Sequence, residues 1–435
     1  MTVCKFGGSS VASADQIKKV KAILEADKNR RVIIVSAPGR RTKDDDKVTD
    51  LLYECNKMVR RGSSCKSVFN QIAKRYLEIA EGLGIDQKPV NMLLDDIRYK
   101  IDAGKGSDYT ASRGEFLSAF IISQNLGWEF IDAKDCIIIK SDGTVNPFTY
   151  DRVKALIEDP KKGYVFPGFY GSDDDNVIKT FTRGGSDITG SIVARSINAD
   201  LYENWTDVSG IYSADPRLIP DAHVIDALDY KEVRELSDYG ASVFHEEAIA
   251  PIIGAEIPIC IKNTDRPEDP GTLIVPVSGE RRLAGVSARG GLSCIKLRKL
   301  MLFKKHGMRH ALLTMLNIFG VRPVYSLYGV DSIVWYFDSK AATPSVLDAM
   351  CTRLKKEFEL EEVFVEPGKA ILGVVGSDIL GGDEHIKAAI ALREAGITMN
   401  FLNHGASEVS FAIGVEDEER VEAVKVVYDA ILRRK

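Results

Sequence analysis

The chain has 435 residues, 45% of them hydrophobic and 28% charged, which is enough for two or three domains with substantial cores. Its net charge of −5 shows no overall excess of basic residues, which argues against a nucleic-acid-binding protein. No run approaches the ~20 apolar residues of a spanning helix, and no charged-then-apolar leader precedes Lys5, which argues against membrane and secreted proteins. Seven scattered cysteines without a C-x-x-C pair predict reduced thiols and a cytoplasmic protein.

The first informative segment lies at the start of the chain. Residues 1–4 predict a strand, and the segment KFGGSS follows at residues 5–10. Glycines let backbone N–H groups approach an anion, the next helix adds its N-terminal dipole, and Lys5 adds a mobile full charge. An ordinary tight turn can have the same sequence, so this motif alone leaves both interpretations open.

The following segments alternate between helix and strand patterns. Ser13 and Gln16 form a capping box, and the predicted helix has one apolar face, formed by Ile17, Val20, Ile23 and Leu24. The β-branched run at residues 32–35 is typical of a strand buried on both faces of a parallel sheet. Further strands are predicted at residues 136–139, 164–166 and 200–205. This order indicates an α/β fold, an open sheet covered by helices on both sides.

A second glycine-rich element favours an anion site over an ordinary turn. Residues 168–172 read GFYGS, and residues 181–190 read FTRGGSDITG before an apolar stretch. Neither a Walker A pattern nor a G-x-G-x-x-G fingerprint occurs, so the P-loop and Rossmann interpretations are disfavoured. Lys5, Ser36, Gly168 and Thr206 each lie just past a predicted strand end, where open sheets bind ligands. We therefore expect these residues to converge on one phosphoryl-handling site.

The pattern changes from about residue 293. Strands are predicted at residues 294–302, 321–328, 332–337, 363–366, 370–375, 398–402 and 409–415, and helices at 308–319, 344–358, 386–395 and 417–434. The order β-α-β-β-α-β followed by β-α-β-β-α, with weak similarity between the parts starting at Gly307 and Gly376, indicates two related modules. A hinge between the two parts of the chain is expected near residues 284–292.

Four segments resemble the signatures of aspartate kinases, within the amino-acid kinase superfamily. They are KFGGSSVA (residues 5–12), RGGSDIT (183–189), WTDVSGIYSADPR (205–217) and YGASVFH (239–245). The resemblance implies an open αβα sandwich, the amino-acid kinase fold, for residues 1–290. It also implies two ferredoxin-like ACT domains, the first at residues 304–366 and inserted into the second, which comprises residues 292–303 and 367–435.

The same resemblance implies an activity. Aspartate kinases use ATP to phosphorylate the β-carboxylate of L-aspartate, giving 4-phospho-L-aspartate, the first step towards lysine, threonine and methionine. Two other interpretations remain open, because a fold does not guarantee an activity. One is a kinase of another amino-acid carboxylate, and the other is an amino-acid-sensing ACT protein with an inactive kinase core.

The implied chemistry depends on a few polar side chains. Lys5 would meet the transferring γ-phosphoryl group and Asp187 would orient it, although a helix N-cap is another interpretation of Asp187. The planar fork of Arg183 would bind the α-carboxylate of aspartate. Glu115 would bind the α-ammonium, with a solvent-facing helix charge as its alternative. The other expected substrate contacts are Ser36, Thr49 and Ser186.

The resemblance also implies a nucleotide site for ATP, with Mg²⁺ carried on the nucleotide and no metal site of the protein's own. Its expected contacts are Lys5, Gly7, Gly8, Ser9, Thr206, Asp207, Tyr212, Asp215 and Arg217. The sequence departs from the family pattern at Ser242, where relatives usually carry a lysine, so one positive nucleotide contact is missing. Residues 39–47 form a longer, more charged loop than is common in the family, either a solvated loop or a lid.

Regulation is implied through the ACT domains. The expected effector is an amino acid, lysine first and threonine next, and its predicted lining residues are Met301, Gly307, Met308 and Val324. Polar residues of lysine-sensing relatives are replaced around Val324, which leaves the identity of the effector open. A homodimer or higher homo-oligomer through the ACT sheets is expected, because exposed module edges favour pairing.

Overall fold

The computed structural model describes residues 1–182, 184–241, 244, 246–277, 283–304 and 306–433. The chain divides into two compact units. The first comprises Met1–Tyr212, His223–Ser237 and Ser242–Gly279, and the second comprises Ser213–Ala222, Asp238–Ala241 and Glu280–Lys435. Among the described residues, no helix combines the length and the apolar character needed to cross a membrane.

A mainly parallel sheet forms the centre of the first unit. The strands in this part of the chain are β1 (Thr2–Phe6), β2 (Arg30–Val35), β3 (Glu129–Phe130), β4 (Tyr164–Pro167), β5 (Tyr170–Ser172), β6 (Ile178–Thr180), β7 (Leu201–Thr206), β8 (Ala227–Asp229), β9 (Ile259–Asn263) and β10 (Thr272–Val275). Eight of them form the sheet in the order β3-β4-β2-β1-β7-β9-β10-β8, and β5 and β6 form a separate hairpin. Every neighbouring pair in the sheet is parallel except β9 and β10.

Helices cover both faces of this sheet. They are α1 (Ala14–Ala26), α2 (Val48–Arg60), α3 (Lys66–Gly82), α4 (Gln87–Asp102), α5 (Ser107–Leu126), α6 (Phe148–Leu156), α7 (Gly185–Ser196), α8 (Tyr230–Asp238) and α9 (Ala250–Ile253). Side chains of α1 to α5 join Cys4, Phe6, Ile33 and Val35 in one buried cluster. Because strand side chains alternate, the other residues of β1 face the opposite layer, where α7 packs against β1, β2 and β7. The predicted two-sided α/β sheet is thereby confirmed.

Local signals predicted helix α1 well, but the strand predicted at residues 136–139 poorly. The Ser13 hydroxyl accepts a hydrogen bond from the Gln16 backbone N–H at 3.3 Å, and the predicted apolar face of α1 is buried. The strand predicted at residues 136–139 was wrong, since only isolated bridges form there, at Ile138 and Ile139. The backbone N–H of Ile138 bonds to the side-chain oxygen of Thr149 at 2.9 Å and is therefore not free for a sheet partner.

Within its described residues, the second unit contains one antiparallel sheet and four α-helices. Its elements are β11 (Gly285–Arg298), α10 (Met308–Ile318), β12 (Tyr325–Tyr328), β13 (Ser332–Asp338), α11 (Pro344–Phe358), β14 (Glu362–Val375), α12 (Glu384–Glu394), β15 (Phe401–His404), β16 (Ser410–Glu416) and α13 (Arg420–Ile431). The strand order is β12-β13-β11-β14-β16-β15. The predicted pair of ferredoxin-like modules is confirmed as two halves of this sheet, whereas the exact domain boundaries remain a prediction.

Two long strands run through both halves of the sheet. β11 pairs with β14 from Gly285 opposite Val375 to Arg298 opposite Glu362, with irregular register between Arg289 and Cys294. The strands predicted separately at residues 363–366 and 370–375 are thus one strand, β14. Pro367 and Gly368 lie where the pairing is irregular, and the strand continues past them. Residues 285–292, expected near a hinge, belong to β11.

Candidate active site

The first glycine turn lies against the ends of two neighbouring strands. The Gly7 N–H donates to the Trp205 carbonyl at 2.9 Å, and the Gly39 N–H donates to the Gly8 carbonyl at 2.8 Å. A Cβ added to Gly8 would lie 2.9 Å from the Ala37 carbonyl oxygen, so no larger residue fits there without a backbone shift. The segment is therefore a close-packed turn at the carboxyl edge of the sheet, as predicted.

The second glycine element meets the same edge. The Gly168 N–H donates to the Val35 carbonyl at 2.9 Å, and a Cβ on Gly168 would lie 2.6 Å from the Ser186 hydroxyl oxygen. Helix α7 begins after Gly184, which occupies the N-cap with a left-handed φ of 59°. Asp187 thus lies inside the first turn, and its interpretation as the N-cap was wrong.

A buried ion pair joins the two glycine elements. Lys5 Nζ lies 2.6 Å from Asp187 Oδ1, and the two side chains are only 10% and 14% exposed. Asn204 of β7 completes the group, because its Nδ2 donates to Asp187 Oδ1 at 3.0 Å and its Oδ1 accepts from Lys5 Nζ at 3.4 Å. The sequence prediction missed Asn204, although asparagine is depleted in strands.

Glu115 is a buried carboxylate on α5. It is 5% exposed, its Oε2 has no hydrogen-bond partner among the described residues, and the Ala37 backbone bonds to the carboxylate. Burial raises the pKa of Glu115 to about 8. Gly114 allows this close packing, since a Cβ there would lie 2.7 Å from the Ala37 Cβ. The solvent-facing alternative for Glu115 was wrong, and an oxygen without a partner in a buried site is suited to a cationic ligand.

The other predicted substrate residues lie on neighbouring elements. Ser36 follows β2, and its N–H donates to the Phe6 carbonyl at 3.2 Å. Thr49 is half-buried in the first turn of α2, and Ser186 is buried beside Gly168. Arg183, the predicted carboxylate clamp, lies outside the described residues.

Comparisons with known proteins agree with this arrangement. Residues 1–263 match the amino acid kinase family. Aspartokinase 3 of Bacillus subtilis is 33% identical over 446 residues, which cover 98% of this chain and 98% of that protein. The chain belongs to the aspartate kinases. It spans about half the length of the bifunctional aspartokinase/homoserine dehydrogenases that it also matches, such as one from Arabidopsis thaliana at 27% identity.

Solved structures support the same family. The aspartate kinase of Clostridium acetobutylicum, described as an allosteric enzyme, superposes with a TM-score of 0.85 at 39% identity and 99% coverage of both chains. Aspartokinase III of Escherichia coli, solved with lysine and aspartate, gives a TM-score of 0.82 at 22% identity with full coverage of both chains. The second likeness concerns the fold alone. The predicted kinase fold with C-terminal ACT domains is therefore confirmed.

The charged loop at residues 39–47 is held by Arg75 of α3. The buried Arg75 guanidinium donates to the Gly39 carbonyl at 2.7 Å, to the Asp46 carbonyl at 3.0 Å and to the Asp45 carboxylate. Arg41, with Arg75 beside it, holds the pKa of Asp45 well below its ordinary value. These contacts do not fit a wholly solvated loop, while a lid function remains a prediction.

The predicted nucleotide residues fall into two groups. A cavity of about 180 Å³ lies beside the first glycine turn, and its lining includes Ser9, Ser10, Arg40, Arg41, Thr206 and Asp207. Tyr212 lies further along the same unit and bridges to Val224. Asp215 and Arg217 belong to the second unit, where Arg217 Nη2 donates to Asp215 Oδ2 at 2.7 Å. Ser242, where the sequence predicted a missing positive nucleotide contact, lies outside the described residues.

The predicted effector residues all belong to the second unit. Gly307 is the N-cap of α10 with φ 79°, and Met308 is the first residue of that helix. Met301 lies in the turn after β11, where its N–H donates to Asp331 Oδ1 at 2.7 Å. The Val324 N–H donates to the Tyr336 carbonyl at 2.7 Å. Their role as an effector site remains a prediction.

Proposed function

We propose that the chain is an ATP-dependent aspartate kinase. A β-carboxylate oxygen of L-aspartate attacks the γ-phosphorus, a new O–P bond forms, and the bond from that phosphorus to the β,γ-bridging oxygen breaks. The products are 4-phospho-L-aspartate and ADP. The observation that carries the proposal is the buried ion pair between Lys5 and Asp187, which joins the two glycine turns at one edge of the sheet. The match of residues 1–263 to the amino acid kinase family supports it.

Charge stabilisation supplies most of the catalysis. Phosphoryl transfer has a loose transition state that needs alignment and positive groups more than covalent help. Lys5 contacts the transferring phosphoryl group, and Asp187 directs its ammonium. The backbone N–H groups of Gly8 and Ser9 face the phosphate oxygens, and Gly7, whose own N–H donates to the Trp205 carbonyl, lets the chain approach them closely. The close packing of the turn at Gly8 supports this role, because it fixes those N–H groups before ATP binds.

The acceptor is bound through its charged groups. Glu115 binds the α-ammonium, and the unpartnered Oε2 of this buried carboxylate supports that assignment. Arg183 grips the α-carboxylate in a bidentate manner, as its planar fork allows. Ser36, Thr49 and Ser186 add hydroxyl contacts. The positions of Ser36 at the end of β2 and of Ser186 beside Gly168 are compatible with this role.

Magnesium enters on the nucleotide. Phosphate oxygens and water are its usual ligands in such sites, and bound magnesium neutralises phosphate charge. No group of three histidine, cysteine or acidic side chains comes together within the described ranges. Thr206, Asp207, Tyr212, Asp215 and Arg217 contact the nucleotide in this proposal, and the polar cavity beside Ser9 supports the assignment of Thr206 and Asp207.

Regulation takes place in the ACT domains. An amino acid binds there, with lysine as the first candidate and threonine as the second, at a site that includes Met301, Gly307, Met308 and Val324. The allosteric relative from Clostridium acetobutylicum supports such regulation. The chain works as a homodimer or higher homo-oligomer through these domains. A cytoplasmic location fits its seven unpaired cysteines.

Coupled ADP release with aspartate and with glutamate tests the acceptor. Aspartate should be preferred strongly, and equal rates with glutamate would contradict the assignment.

Lys5→Ala tests the site itself. Turnover should fall about a thousandfold or more, because the main positive charge on the phosphoryl group is lost, while the circular dichroism spectrum stays unchanged. Lys18→Ala is the matched control, since the Lys18 side chain is 58% exposed and pairs with Asp15 on α1. Near-normal turnover of Lys5→Ala would rule out the proposed role of Lys5.

A further inference from the structure

An unassigned buried amide bridges the cation and the anion of the site. β1 and β7 are parallel neighbours, and their register sets Lys5 directly opposite Asn204. Asn204 is 2% exposed and contacts both Lys5 Nζ, at 3.4 Å, and Asp187 Oδ1, at 3.0 Å. Together with the 2.6 Å contact between Lys5 and Asp187, these form a closed group of three side chains.

The polarity of the amide fits this place in one orientation. Its oxygen accepts from an ammonium, which only donates, and its NH₂ donates to a carboxylate, which only accepts. Rotation by 180° would set NH₂ against the Lys5 ammonium and a carbonyl against the Asp187 carboxylate. A neutral side chain also leaves the charges of Lys5 and Asp187 balanced, which a carboxylate or an amine at position 204 would not.

The contacts fix the direction in which Lys5 can act. An ammonium has three N–H donors, and here Asp187 and Asn204 accept from two of them. With two donors fixed, the third points in a defined direction and remains available for a phosphate oxygen. A lysine held by a single carboxylate could still rotate about that contact, because its four-carbon stem is flexible.

We propose that Asn204 is a positioning residue for phosphoryl transfer, which holds Lys5 and Asp187 in the reactive arrangement. The inference rests on the proposed kinase function. Asparagine is depleted in strands, and burying an amide has a cost, so sheet formation alone does not account for this residue. Asn204 acts through Lys5 and needs no contact with either substrate.

Asn204→Leu removes both hydrogen bonds at similar volume. We expect kcat to fall about 10- to 100-fold, since misplacing a reacting group by about 1 Å can cost a hundredfold. The KM values for ATP and aspartate should change less than about threefold, because substrate contacts remain.

Glu203→Gln is the matched control. Glu203 is the adjacent residue of the same strand, is 5% exposed, and faces the other side of the sheet, where it pairs with Arg30 at 2.8 Å. This control should lower the Tm and leave kcat per folded protein within twofold. A merely structural role for Asn204 predicts the same behaviour for Asn204→Leu, and that result would overturn the proposal.

Asn204→Asp keeps the size and adds a titratable group. At low pH the introduced carboxyl is protonated and donates to Asp187 as the amide does, whereas at high pH it places a second negative charge beside Asp187. The ratio of its kcat to that of the wild type should therefore fall at least fivefold from pH 5 to pH 8, because the introduced carboxylate, once ionised, repels the Asp187 carboxylate. A ratio that stays constant contradicts the bridging role.

The outcomes separate this inference from the proposed function. If the wild-type protein releases no ADP with aspartate, the kinase assignment fails and the variants are not needed. If the wild type is active and Asn204→Leu retains kcat within twofold, only the positioning role fails. Should Asn204→Leu not fold, the pH profile of Asn204→Asp decides.

Discussion

The pKa of Glu115 makes aspartate binding depend on pH. Burial raises this pKa to about 8, so the carboxyl is about 1% ionised at pH 6, about 9% at pH 7 and about half ionised at pH 8. Only the ionised form pairs with the α-ammonium of aspartate. The apparent KM for aspartate should therefore fall about fiftyfold between pH 6 and pH 8, in proportion to the ionised fraction.

Glu115→Gln tests the cause of that dependence. Glutamine cannot ionise, so the KM of the variant should stay constant and exceed the wild-type KM at every pH, and the ratio of the two KM values should grow about fiftyfold from pH 6 to pH 8. Glu129→Gln is the control, because Glu129 is exposed and its nearest cation is Lys162 at 3.9 Å. The assay is coupled ADP release under saturating ATP at pH 6, 7 and 8, with the ATP KM measured alongside.

Calorimetry gives a second readout of the same event. Binding converts a protonated carboxyl to a carboxylate, so about 0.9 proton per aspartate should be released at pH 7, measurable in two buffers of different ionisation enthalpy. Without substrate, the folded protein binds more protons than the unfolded chain between about pH 4.5 and 8, so wild-type stability should fall relative to Glu115→Gln as the pH rises through that window. A wild-type KM that varies less than twofold from pH 6 to pH 8 would refute the reasoning.

Three further predictions concern other parts of the chain. Arg183→Lys should raise the aspartate KM at least tenfold, because one arm of a bidentate contact is lost, and an unchanged KM in the aspartate titration would remove Arg183 from the site. Arg75→Met should lower the free energy of unfolding by about 2–4 kcal/mol, since it leaves the Gly39 and Asp46 carbonyls without their donor and removes one of the two guanidinium partners of Asp45. Trypsin should also cut the 39–47 loop faster, and Arg41→Met, on the exposed side, is the control in denaturant titrations. Lysine should inhibit more strongly than threonine in aspartate titrations, and inhibition by neither would contradict effector control.

The parts of the fold that local sequence determines were predictable. The Ser13 cap and the apolar face of α1 depend on contacts within one helix, and α11 has the predicted bounds, 344–358. The continuity of β14 was not predictable, because Pro367 reads as a strand end and only pairing with β11 carries the strand past it. The strand predicted at residues 136–139 does not form, because the N–H of Ile138 donates to the hydroxyl of Thr149, eleven residues further along the chain.

The same division holds for the active site. Lys5, Gly8 and Asp187 belong to short motifs, and the close packing of the glycine turns can be anticipated from the lack of a Cβ. Asn204 and Arg75 could not be identified in this way, because their contacts depend on which strand lies beside β1 and which helix reaches the 39–47 loop. Neither residue stands out in the sequence, because Asn204 follows Glu203 in β7 and Arg75 follows Lys74 in α3.

Strand register is therefore part of the catalytic arrangement. Glu203 and Asn204 are neighbours in β7, yet Glu203 bonds Arg30 at 2.8 Å on one face while Asn204 bridges Lys5 and Asp187 on the other. A slip of one residue between β1 and β7 would exchange the two faces. It would set a second carboxylate against Lys5 and leave the half-buried Arg30 without its carboxylate partner, Glu203. The ion pair on the structural face and the amide on the catalytic face thus both favour the same register, and the energy that stabilises the sheet also positions the lysine.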